Sequence, residues 1–561
     1  MRGDAAAPEL ADPLDMRQYR IETLPVRAKG PVERRMAQLG IPLALVLFVV
    51  FGFLVQLPFL QHIDPATLTS ELARKEFAAD GGALFSHNLG LLFAIFLASM
   101  VLWGTVALPN YLVSLMLISA LVLTGVLTEK EAYAQLGHPV MWLNIMSFVL
   151  ASMLVATGLA KRMALWLILR FGHSASSVFR VFIVLNLLLS AFVSATTAKA
   201  AILLPLFMVI AAIYGARPGG PRTNFGRSIV LQNLLCINLG AGAFMTGSGA
   251  NLLAAAIIGG ALGSTIYFGD WMMAMFPVMV GLMLVGYLLA MKVFFPLAPE
   301  ERLPQIPGGM ARLQSEYTAL GRLTGKEIRA ALIFVVILAL WATDRVHGVS
   351  PTAVAFVGAI VALLPRWGIV QWNEVDIPWH LMLFSAGAYA LGAGFDATDL
   401  PSIAVNAGFD HLGIGNHTPF WVLYLLLTAV MLFSALVFES KTMRAMIFVP
   451  IAIGVAGRFS YSIVSLALPV AFLIEHVYVL PFNSKPAALL LRDRSLLPVR
   501  HLPLRLHHDG DLVAGHHPGR GELVPPAGDH PERRVRAVLA CDSPPAPRGV
   551  PCDDDPLPPE P

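Results

Sequence analysis

Two basic side chains lie inside apolar stretches of the sequence, at matching places of a short repeat. Lys199 belongs to ATTAKAAILLP, residues 195–205, and Arg444 belongs to SKTMRAMIFVP, residues 440–450. The two segments align without a gap at a constant offset of 245 residues, with Lys199 over Arg444 and a proline at the end of each. A charge in an apolar interior is costly unless it is paired, so these two cations predict binding of a small anion.

A polar interruption follows each copy of the repeat. The first is TGSGAN, residues 246–251, and the second is PFNSKPA, residues 481–487. Backbone that leaves a helix inside a membrane finds its hydrogen-bond partners where it lines a cavity or a ligand, and helix N-termini at such points favour anions. Corresponding interruptions in two halves therefore indicate the substrate site of a transporter. The side chains predicted to bind the substrate are Thr196, Thr197, Lys199, Ser440, Lys441, Thr442, Arg444, Ser248, Asn251 and Ser484.

Each of these side chains also has a structural explanation. Lys199 and Arg444 could extend their charged ends to water or to lipid headgroups. The hydroxyl groups could bond the backbone of a kinked helix, and Ser248 and Asn251 could belong to a packing face of small residues. The sequence leaves these alternatives open.

Two further ionisable residues, Glu475 and His476, lie in the apolar run LALPVAFLIEHVYVLPF, residues 466–482. An ionisable pair at membrane depth predicts a proton relay, so both residues are candidates for proton coupling. The alternative is that both face a water-filled vestibule. Asp396 and Asp399, in contrast, end a predicted hairpin and are expected to be exposed.

The elements that must position these residues are membrane helices. Of the 561 residues, 56% are hydrophobic and only 13% are charged, and the mean hydropathy is +0.69. A soluble protein carries about a quarter charged residues, so the composition predicts an all-α polytopic membrane protein. The net charge of +3 does not suggest a nucleic-acid partner, and the three cysteines have no spacing typical of a disulfide framework or a metal site.

The chain is expected to begin in the cytoplasm of a bacterial cell and to cross the inner membrane many times. The first apolar run starts near Ile41, too late for a cleavable signal peptide, and the segment before it is rich in arginine, which the positive-inside rule places in the cytoplasm. Short apolar runs interrupted by Gly, Pro, Ser or Thr indicate broken or re-entrant helices. The predicted parts are a cytoplasmic N-terminal segment (1–40), N-terminal scaffold helices (41–138), a first transport repeat (139–295), a cytoplasmic linker (296–326), a second transport repeat (327–490) and a non-membrane tail (491–561).

The tail differs in character from the rest of the chain. After about Leu490 the sequence is rich in Arg, Pro, His, Asp and Gly, and it has no apolar run long enough to span a membrane. The hypothesis is that residues 491–561 are a shifted-frame translation of a GC-rich gene, standing in place of a terminal membrane helix. The alternative is a disordered extension.

At the repeat and its interruptions the chain resembles the divalent anion/sodium symporter family, which transports dicarboxylates, citrate or sulfate. The two Ser-Asn-Thr motifs of that family correspond here to residues 195–197 and 440–442. Its two Gly-Thr-Pro-Pro-Asn-like segments correspond to residues 247–251 and 483–487.

The resemblance extends over about 41–490, including residues 148–165 and 377–395. It implies a homodimer in which each protomer has a scaffold and a mobile transport domain built from two inverted repeats. Two re-entrant hairpins would hold the motifs at the substrate site, and the transport domain would move as an elevator. The activity would be secondary active transport of a small divalent or trivalent anion.

The chain departs from the family pattern where the family binds sodium and the substrate carboxylate. Thr196 and Lys441 replace the asparagines of the two motifs, and the second interruption has Lys485 and ends in Ala487 instead of asparagine. Since hard cations need oxygen ligands, the hypothesis is that Lys441 or Lys485 takes the place of a coupling cation in the second half. Transport there would be independent of Na⁺, with protons or a counter-anion as the alternatives. A residual sodium site is expected near Thr196, Gly247 and Asn251.

Other function classes fit the sequence less well. The HExxH motif of zinc proteases does not occur, and TGSG, residues 246–249, lacks the glycine that usually lies two residues before the serine of an intramembrane serine protease. An enzyme is therefore not expected, nor is a cofactor or a metal other than a coupling ion. The paired cations argue against cation antiport, whereas an oxyanion efflux permease or an anion exchanger of the same superfamily remains an alternative.

Overall fold

The regular elements of the structure are helices. The computed structural model describes residues 14–15, 31–61, 63–216, 223–413, 418–436, 438, 440–477 and 486, and this part of the chain contains no strand. The all-α expectation is confirmed. The α-helices, in chain order, are α1 (Pro31–Val49), α2 (Pro58–Gln61), α3 (Glu71–Thr105), α4 (Asn110–Leu123), α5 (Glu129–Ala134), α6 (Pro139–Thr157), α7 (Leu159–Phe171), α8 (Ala175–Phe192), α9 (Thr196–Ile213), α10 (Asn224–Ala243), α11 (Gly249–Leu262), α12 (Phe268–Leu289), α13 (Gly309–Ala319), α14 (Gly325–Ala342), α15 (Asp344–His347), α16 (Pro351–Leu363), α17 (Trp379–Thr398), α18 (Leu400–His411), α19 (Phe420–Ser434), α20 (Lys441–Arg458) and α21 (Ile463–Phe472).

Several of these helices have the length and composition of membrane spans. Six helical segments of the described residues qualify: Arg34–Leu54, Glu71–Thr105, Glu129–Thr157, Ala175–Phe192, Thr196–Ile213 and Phe268–Phe294. Further apolar helices are shorter, among them α11, α19 and α21. A mixture of full-length and short apolar helices agrees with the polytopic membrane protein expected from the composition.

The interior of the fold is built from the helices that carry the repeat. In α8 and in α9, 61% of the most apolar 18-residue stretch is buried. The corresponding share is 11% in the span that contains α1 and 17% in the span that contains α12. Helix α10 packs against α8, α9 and α12, and α11 packs against α20. The predicted site residues therefore lie on the most enclosed helices, whereas α1 and α12 present apolar side chains outward.

The two copies of the sequence repeat fold into helices with the same bounds. Helix α9 runs from Thr196 to Ile213 and α20 from Lys441 to Arg458, so each has 18 residues and each end is displaced by the sequence offset. Both helices keep their proline in the interior, Pro205 in α9 and Pro450 in α20. The short repeat is thus structural and not only a chance likeness of letters.

A second correspondence lies where α6 meets α7 and where α17 meets α18. Each junction is a single residue with positive φ, Gly158 at 69° and Asp399 at 54°. Glycine adopts this left-handed conformation freely, and aspartate is among the few other residues that tolerate it. Both halves therefore break a long helix with one left-handed residue and continue in a shorter helix.

Asp399 does not lie at the surface, so its expected exposure is wrong. Its side chain is buried, and its carboxylate accepts hydrogen bonds from the backbone N–H groups of Thr69 and Ser70 and from the Thr69 hydroxyl. These groups directly precede α3, which begins at Glu71, so their N–H donors have no partner within that helix. Asp399 is buried because it satisfies them, whereas Asp396 is exposed as expected.

The segment predicted as a linker, 296–326, contains helix α13 and is held to the helix that follows it. Arg162 on α7 forms an ion pair with Glu327 on α14, with Nε 2.6 Å from Oε1, and also donates to the carbonyls of Leu320 and Gly321 at 2.9 Å. Arg162 and Glu327 are both buried. The pair fixes the start of α7 against the start of α14.

Part of the expected second half lies outside the described residues. Of the predicted interruption 481–487 only Pro486 is described, so the expectations for Ser484 and Lys485 concern residues beyond this part of the chain, as does the expectation for the tail. The chain divides into two units, Met1–Val499 and Arg500–Pro561, and all described residues belong to the first.

Candidate functional site

The first site element is an unwound stretch between α10 and α11, here called the first break (residues 244–248). Phe244 is extended, Met245–Gly247 form one 3₁₀ turn, and Ser248 is extended again before α11 begins. A Cβ atom on Gly247 would lie 2.3 Å from the carbonyl oxygen of Ala241, so only glycine fits there. The oxygen of Ser248 accepts a hydrogen bond from the N–H of Ala250 at 3.3 Å and caps α11.

Side chains replace the hydrogen bonds that the backbone loses at the first break. Asn251 Nδ2 donates to the carbonyls of Ala241 at 2.9 Å and Phe244 at 3.2 Å, and the Thr246 hydroxyl donates to the carbonyl of Ala191 at 3.0 Å. Asn251 is fully buried, and its Oδ1 has no hydrogen-bond partner among the described residues. An unpaired buried amide oxygen beside an unwound helix end is a suitable ligand for a cation or for a donor on a substrate.

Lys199 joins the first break to the end of α8. Its Nζ donates to Ser190 Oγ at 2.9 Å and approaches the carbonyl oxygen of Gly247 at 3.4 Å. The side chain is fully buried, which excludes the alternative that it extends to water or to lipid headgroups. The ammonium group of Lys199 therefore lies beside the carbonyl oxygen of Gly247, within the first break.

Arg444 has corresponding partners in the second half. The second unwound stretch, here called the second break (residues 473–477), follows α21 and begins with the 3₁₀ turn Leu473–Glu475. Arg444 Nε donates to Ser434 Oγ at 2.9 Å, and its terminal nitrogens donate to the carbonyls of Leu473 and Ile474, both at 3.2 Å. A further bond of 2.5 Å reaches the carbonyl of Met431 on α19.

The equivalence of Lys199 and Arg444 thus extends to their surroundings. Each side chain is fully buried, each bonds a serine near the end of the preceding helix, and each bonds carbonyls of its break. In the described conformation both cations hold unwound backbone in position. Their predicted contact with substrate stays a prediction.

Lys441 has a different partner, an acid. Its Nζ lies 2.5 Å from Glu475 Oε2 and 2.9 Å from Asn238 Oδ1. The Lys441 side chain is 14% exposed, whereas the Glu475 side chain is fully enclosed. The ammonium group therefore bridges α20, α10 and the second break through oxygen ligands.

The two proton-coupling candidates are adjacent but differ in their contacts. Glu475 binds Lys441 through Oε2, and its Oε1 has no hydrogen-bond partner among the described residues. The His476 ring lies with its centroid 5.2 Å from that of Phe472, and the side chain is 7% exposed. Glu475 therefore faces the candidate site through an ion pair, whereas His476 packs against an aromatic ring.

The hydroxyl residues of the two motifs lie at the starts of α9 and α20. Thr196, Thr197 and Thr442 are half-buried in the first turns of these helices. The Ser440 hydroxyl accepts a hydrogen bond from the N–H of Met443 at 3.2 Å and caps α20. Since backbone N–H groups of a first helical turn carry partial positive charge, both helix starts favour an anion.

Sequence reasoning missed several partners of these side chains. Asn238 on α10 binds Lys441, and Ser190 and Ser434 bind the buried cations. Asn144 on α6 also has a buried Oδ1 without a hydrogen-bond partner among the described residues, and its Nδ2 lies 3.2 Å from the place where a Cβ of Gly249 would be. A polar residue inside an apolar helix was the available signal for each, but such residues occur at many positions.

Residues 82–495 match the family described as the sodium:sulfate symporter transmembrane region, a stretch that contains both breaks and both copies of the repeat. The chain belongs to this family. The resemblance inferred from the motifs is thereby confirmed.

Members of the symporter family with curated names are similar to parts of this chain. The chloroplastic dicarboxylate transporter 1 of Spinacia oleracea is 29% identical over 55% of this chain and 54% of its own length. The sodium-dependent dicarboxylate transporter of Staphylococcus saprophyticus is 24% identical over 69% of this chain and 77% of its own length. The L-tartrate/succinate antiporter of Escherichia coli is 24% identical over 48% of this chain and 54% of its own length.

Family membership agrees with the class expected from the sequence. The family and these relatives are transporters and not enzymes, and the helices describe a multi-pass membrane protein. The chain spans about half to three quarters of the length of these relatives. Among the described residues, no group of three or more His, Cys, Asp or Glu is arranged to hold a metal ion.

A sodium ion, as cargo of a symporter, would need oxygen ligands, and the two breaks differ in what they offer. The first break has the unpaired Oδ1 of Asn251, although the nearby carbonyl of Gly247 is engaged by Lys199. At the second break Asn238 Oδ1 and the Glu475 carboxylate already surround the ammonium of Lys441. The residues present therefore fit a cation at the first break better than at the second.

Proposed function

We propose that this protein carries out secondary active transport of a small divalent or trivalent anion, a dicarboxylate, citrate or sulfate, across the bacterial inner membrane. The observation that carries the proposal is that Lys199 and Arg444 are fully buried at the two helix breaks, and that Lys441, at the second break, is only 14% exposed. Three basic side chains inside a membrane protein need negative partners, and only Glu475 supplies a carboxylate in direct contact with one of them in the described part of the chain. An anionic substrate fits the remaining charge.

The names of similar proteins support the same substrate class. The relatives from Spinacia oleracea and Staphylococcus saprophyticus are dicarboxylate transporters, and the one from Escherichia coli exchanges L-tartrate and succinate. The starts of α9, α11 and α20 add partial positive charge at the breaks. The proposed substrate ligands are the motif hydroxyls, Ser248, Asn251 and the cations, with the order of preference left to measurement.

The second half of the site is proposed to work without sodium. Lys441 replaces the family asparagine, and its ammonium binds Asn238 and Glu475, the oxygen ligands that a metal cation would otherwise use. A tethered ammonium supplies the charge of a coupling cation without requiring one from solution. A single sodium site near Thr196, Gly247 and Asn251 is compatible with the unpaired Oδ1 of Asn251.

The expected architecture of the transport cycle is also proposed. The equal bounds of α9 and α20, together with the left-handed junctions at Gly158 and Asp399, support two inverted repeats that move as an elevator domain. The N-terminus is proposed to be cytoplasmic, because Arg34 and Arg35 precede the apolar part of α1. A homodimer is proposed from family membership.

The test is uptake by proteoliposomes. Labelled succinate, citrate and sulfate are offered with and without an inward Na⁺ gradient, first without internal anion and then with an internal counter-anion. Uptake of one anion supports transport, and uptake only with a counter-anion favours the exchanger. Lys199→Met should abolish uptake, whereas Lys75→Met, on an exposed position of α3, should leave it intact. Absence of uptake and exchange by folded protein would overturn the proposal and favour oxyanion efflux.

A further inference from the structure

The Lys441–Glu475 pair is the one place in the described site where a cation is already neutralised by a carboxylate. Lys199 and Arg444 bind only hydroxyls and carbonyls, which carry no net charge. Lys441 instead binds Glu475 Oε2 at 2.5 Å. The carboxylate of Glu475 and the carboxylate of a substrate are chemically alike, so they compete for the same ammonium group.

The charged groups that face Glu475 in the described part of the chain are basic side chains. Lys441 and Arg444 face it from α20, Lys199 faces it from α9, and His476 is its neighbour on the second break. Helix α10 contributes neutral groups only, the amide of Asn238 beside Lys441 and the backbone around Gly242. An arriving dianion competes with the Glu475 carboxylate for Lys441, because its charge repels the carboxylate and is attracted by the cations.

Lys441 has the donors needed to change partners. An ammonium group has three N–H donors, and the contacts with Asn238 and Glu475 occupy two of them. The Asn238 contact can persist while the Glu475 contact is exchanged for a substrate oxygen. The Oε1 of Glu475 has no hydrogen-bond partner among the described residues, so it is available to receive a proton.

We propose that Glu475 carries the coupling proton, so that the transporter is a proton/anion symporter. A proton from the side where substrate binds forms an O–H bond on Glu475, the ion pair with Lys441 opens, and Lys441 binds a substrate carboxylate or sulfate oxygen. On the other side of the membrane the substrate leaves, the proton leaves Glu475, and the ion pair forms again. One proton and one anion cross together, and no other bond changes. This inference rests on the proposed transport function.

The same pair reduces the charge that the empty carrier would have to return, which leaves Lys199 and Arg444 as its other cations. A symporter must move its unloaded site back across the membrane, and a buried unpaired charge opposes that movement. With Glu475 ionised, the pair with Lys441 is neutral and needs no ion from solution. With Glu475 protonated and no substrate bound, Lys441 would be an uncompensated cation, so return without substrate is favoured only after the proton has left.

The experiment follows proton movement and anion movement in the same proteoliposomes. The full chain is reconstituted with a pH-sensitive dye inside, the membrane potential is clamped with valinomycin and K⁺, and labelled succinate, citrate or sulfate is added outside. For each proton coupled, an inward gradient of one pH unit raises the limiting accumulation about tenfold. Wild-type protein should show that rise and should acidify the lumen only when the anion is present.

Two variants identify the group that carries the proton. Glu475→Gln keeps the shape and a hydrogen-bonding oxygen but cannot release a proton, so accumulation driven by the pH gradient and substrate-dependent acidification should both be lost. His476→Gln should retain both signals. Lys75→Gln, on the exposed part of α3, controls for handling.

The outcomes separate this inference from the proposed function. Anion transport by wild-type protein without acidification would overturn proton symport and leave transport standing. Acidification retained in Glu475→Gln, or lost only in His476→Gln, would overturn the role of Glu475. If Glu475→Gln does not fold, the ratio of protons to anions in the wild-type protein still decides whether a proton is coupled. Absence of uptake and exchange for all three anions would overturn both proposals.

Discussion

Lys441 and Arg444 lie one helical turn apart on α20 and hold the second break in different ways. Lys441 binds the side chain of Glu475, whereas Arg444 binds the carbonyls of Leu473 and Ile474 that precede it. The position of Glu475 therefore depends on the guanidinium group of Arg444, although no hydrogen bond joins these two side chains. This arrangement separates a residue that binds ions from a residue that positions backbone.

Replacing Arg444 should destabilise the protein. Arg444→Met removes donors from three carbonyls and a hydroxyl that are buried with it, and leaving a buried acceptor unsatisfied costs about 1–3 kcal/mol. We expect a clear fall in melting temperature in detergent, measured by thermal unfolding. The matched control is Arg180→Met, at an exposed position of α8, which should melt like the wild type. An Arg444→Met protein with the melting temperature of the wild type would contradict this prediction.

Replacing Lys441 should change the ion requirement. In Lys441→Asn an amide oxygen joins Asn238 Oδ1 and the Glu475 carboxylate, which gives a cation a set of oxygen ligands. We expect anion uptake by this variant to become dependent on Na⁺, measured in proteoliposomes over a series of Na⁺ concentrations. Lys441→Met, which removes the charge and supplies no oxygen, is the control and should not gain the dependence. An active Lys441→Asn variant that ignores Na⁺ would contradict the prediction.

Breaking the ion pair Arg162–Glu327 should destabilise the protein far more than breaking the nearby pair Lys161–Glu316. Arg162 and Glu327 are buried, whereas Lys161 and Glu316 form a 2.9 Å pair whose side chains are 41% and 36% exposed. Removing one partner of a buried pair costs about 3–5 kcal/mol, and an exposed pair contributes about 0–1 kcal/mol. Glu327→Ala should therefore lower the melting temperature strongly and Glu316→Ala hardly at all. Equal effects of the two substitutions would refute the assignment.

Asp399 has two roles that substitutions can separate. Its backbone adopts the left-handed conformation, and its carboxylate accepts hydrogen bonds from residues that precede α3. Asp399→Gly keeps the left-handed conformation but removes the carboxylate from the N-terminus of α3, whereas Asp399→Asn keeps the conformation and an oxygen acceptor. We expect Asn to cost little and Gly to cost about 1 kcal/mol, as for the loss of a helix cap. Hydrogen exchange of the first turn of α3 measures the effect. Faster exchange there in Asp399→Asn than in Asp399→Gly would contradict it.

The sequence predicted the parts of this structure that depend on local pattern. The gapless match between residues 195–205 and 440–450 predicted two equivalent helices, and α9 and α20 have equivalent bounds. The polar segment 246–251 predicted the first break, because glycine, serine and asparagine at membrane depth are poorly suited to continuous helix. Composition alone predicted the all-helical class.

Contacts between distant residues could not be predicted in the same way. Lys441 and Glu475 are separated by a whole helix, and Asp399 meets Thr69 across most of the chain. The contacts of Arg444 with the second break could not be predicted, because its main acceptors are backbone carbonyls, which every residue has. Only the end of α21 at Phe472 shows which carbonyls lack a partner within a helix.

The partners of Arg444 also have a consequence for how the protein is made. Met431 and Ser434 precede α20 in the chain, whereas Leu473 and Ile474 follow it. The contacts of Arg444 and Lys441 with residues 473–475 can form only after that part of the chain has left the ribosome. Arg444 therefore joins segments from both sides of α20, so the fold around it is complete only when the chain has been made past residue 475.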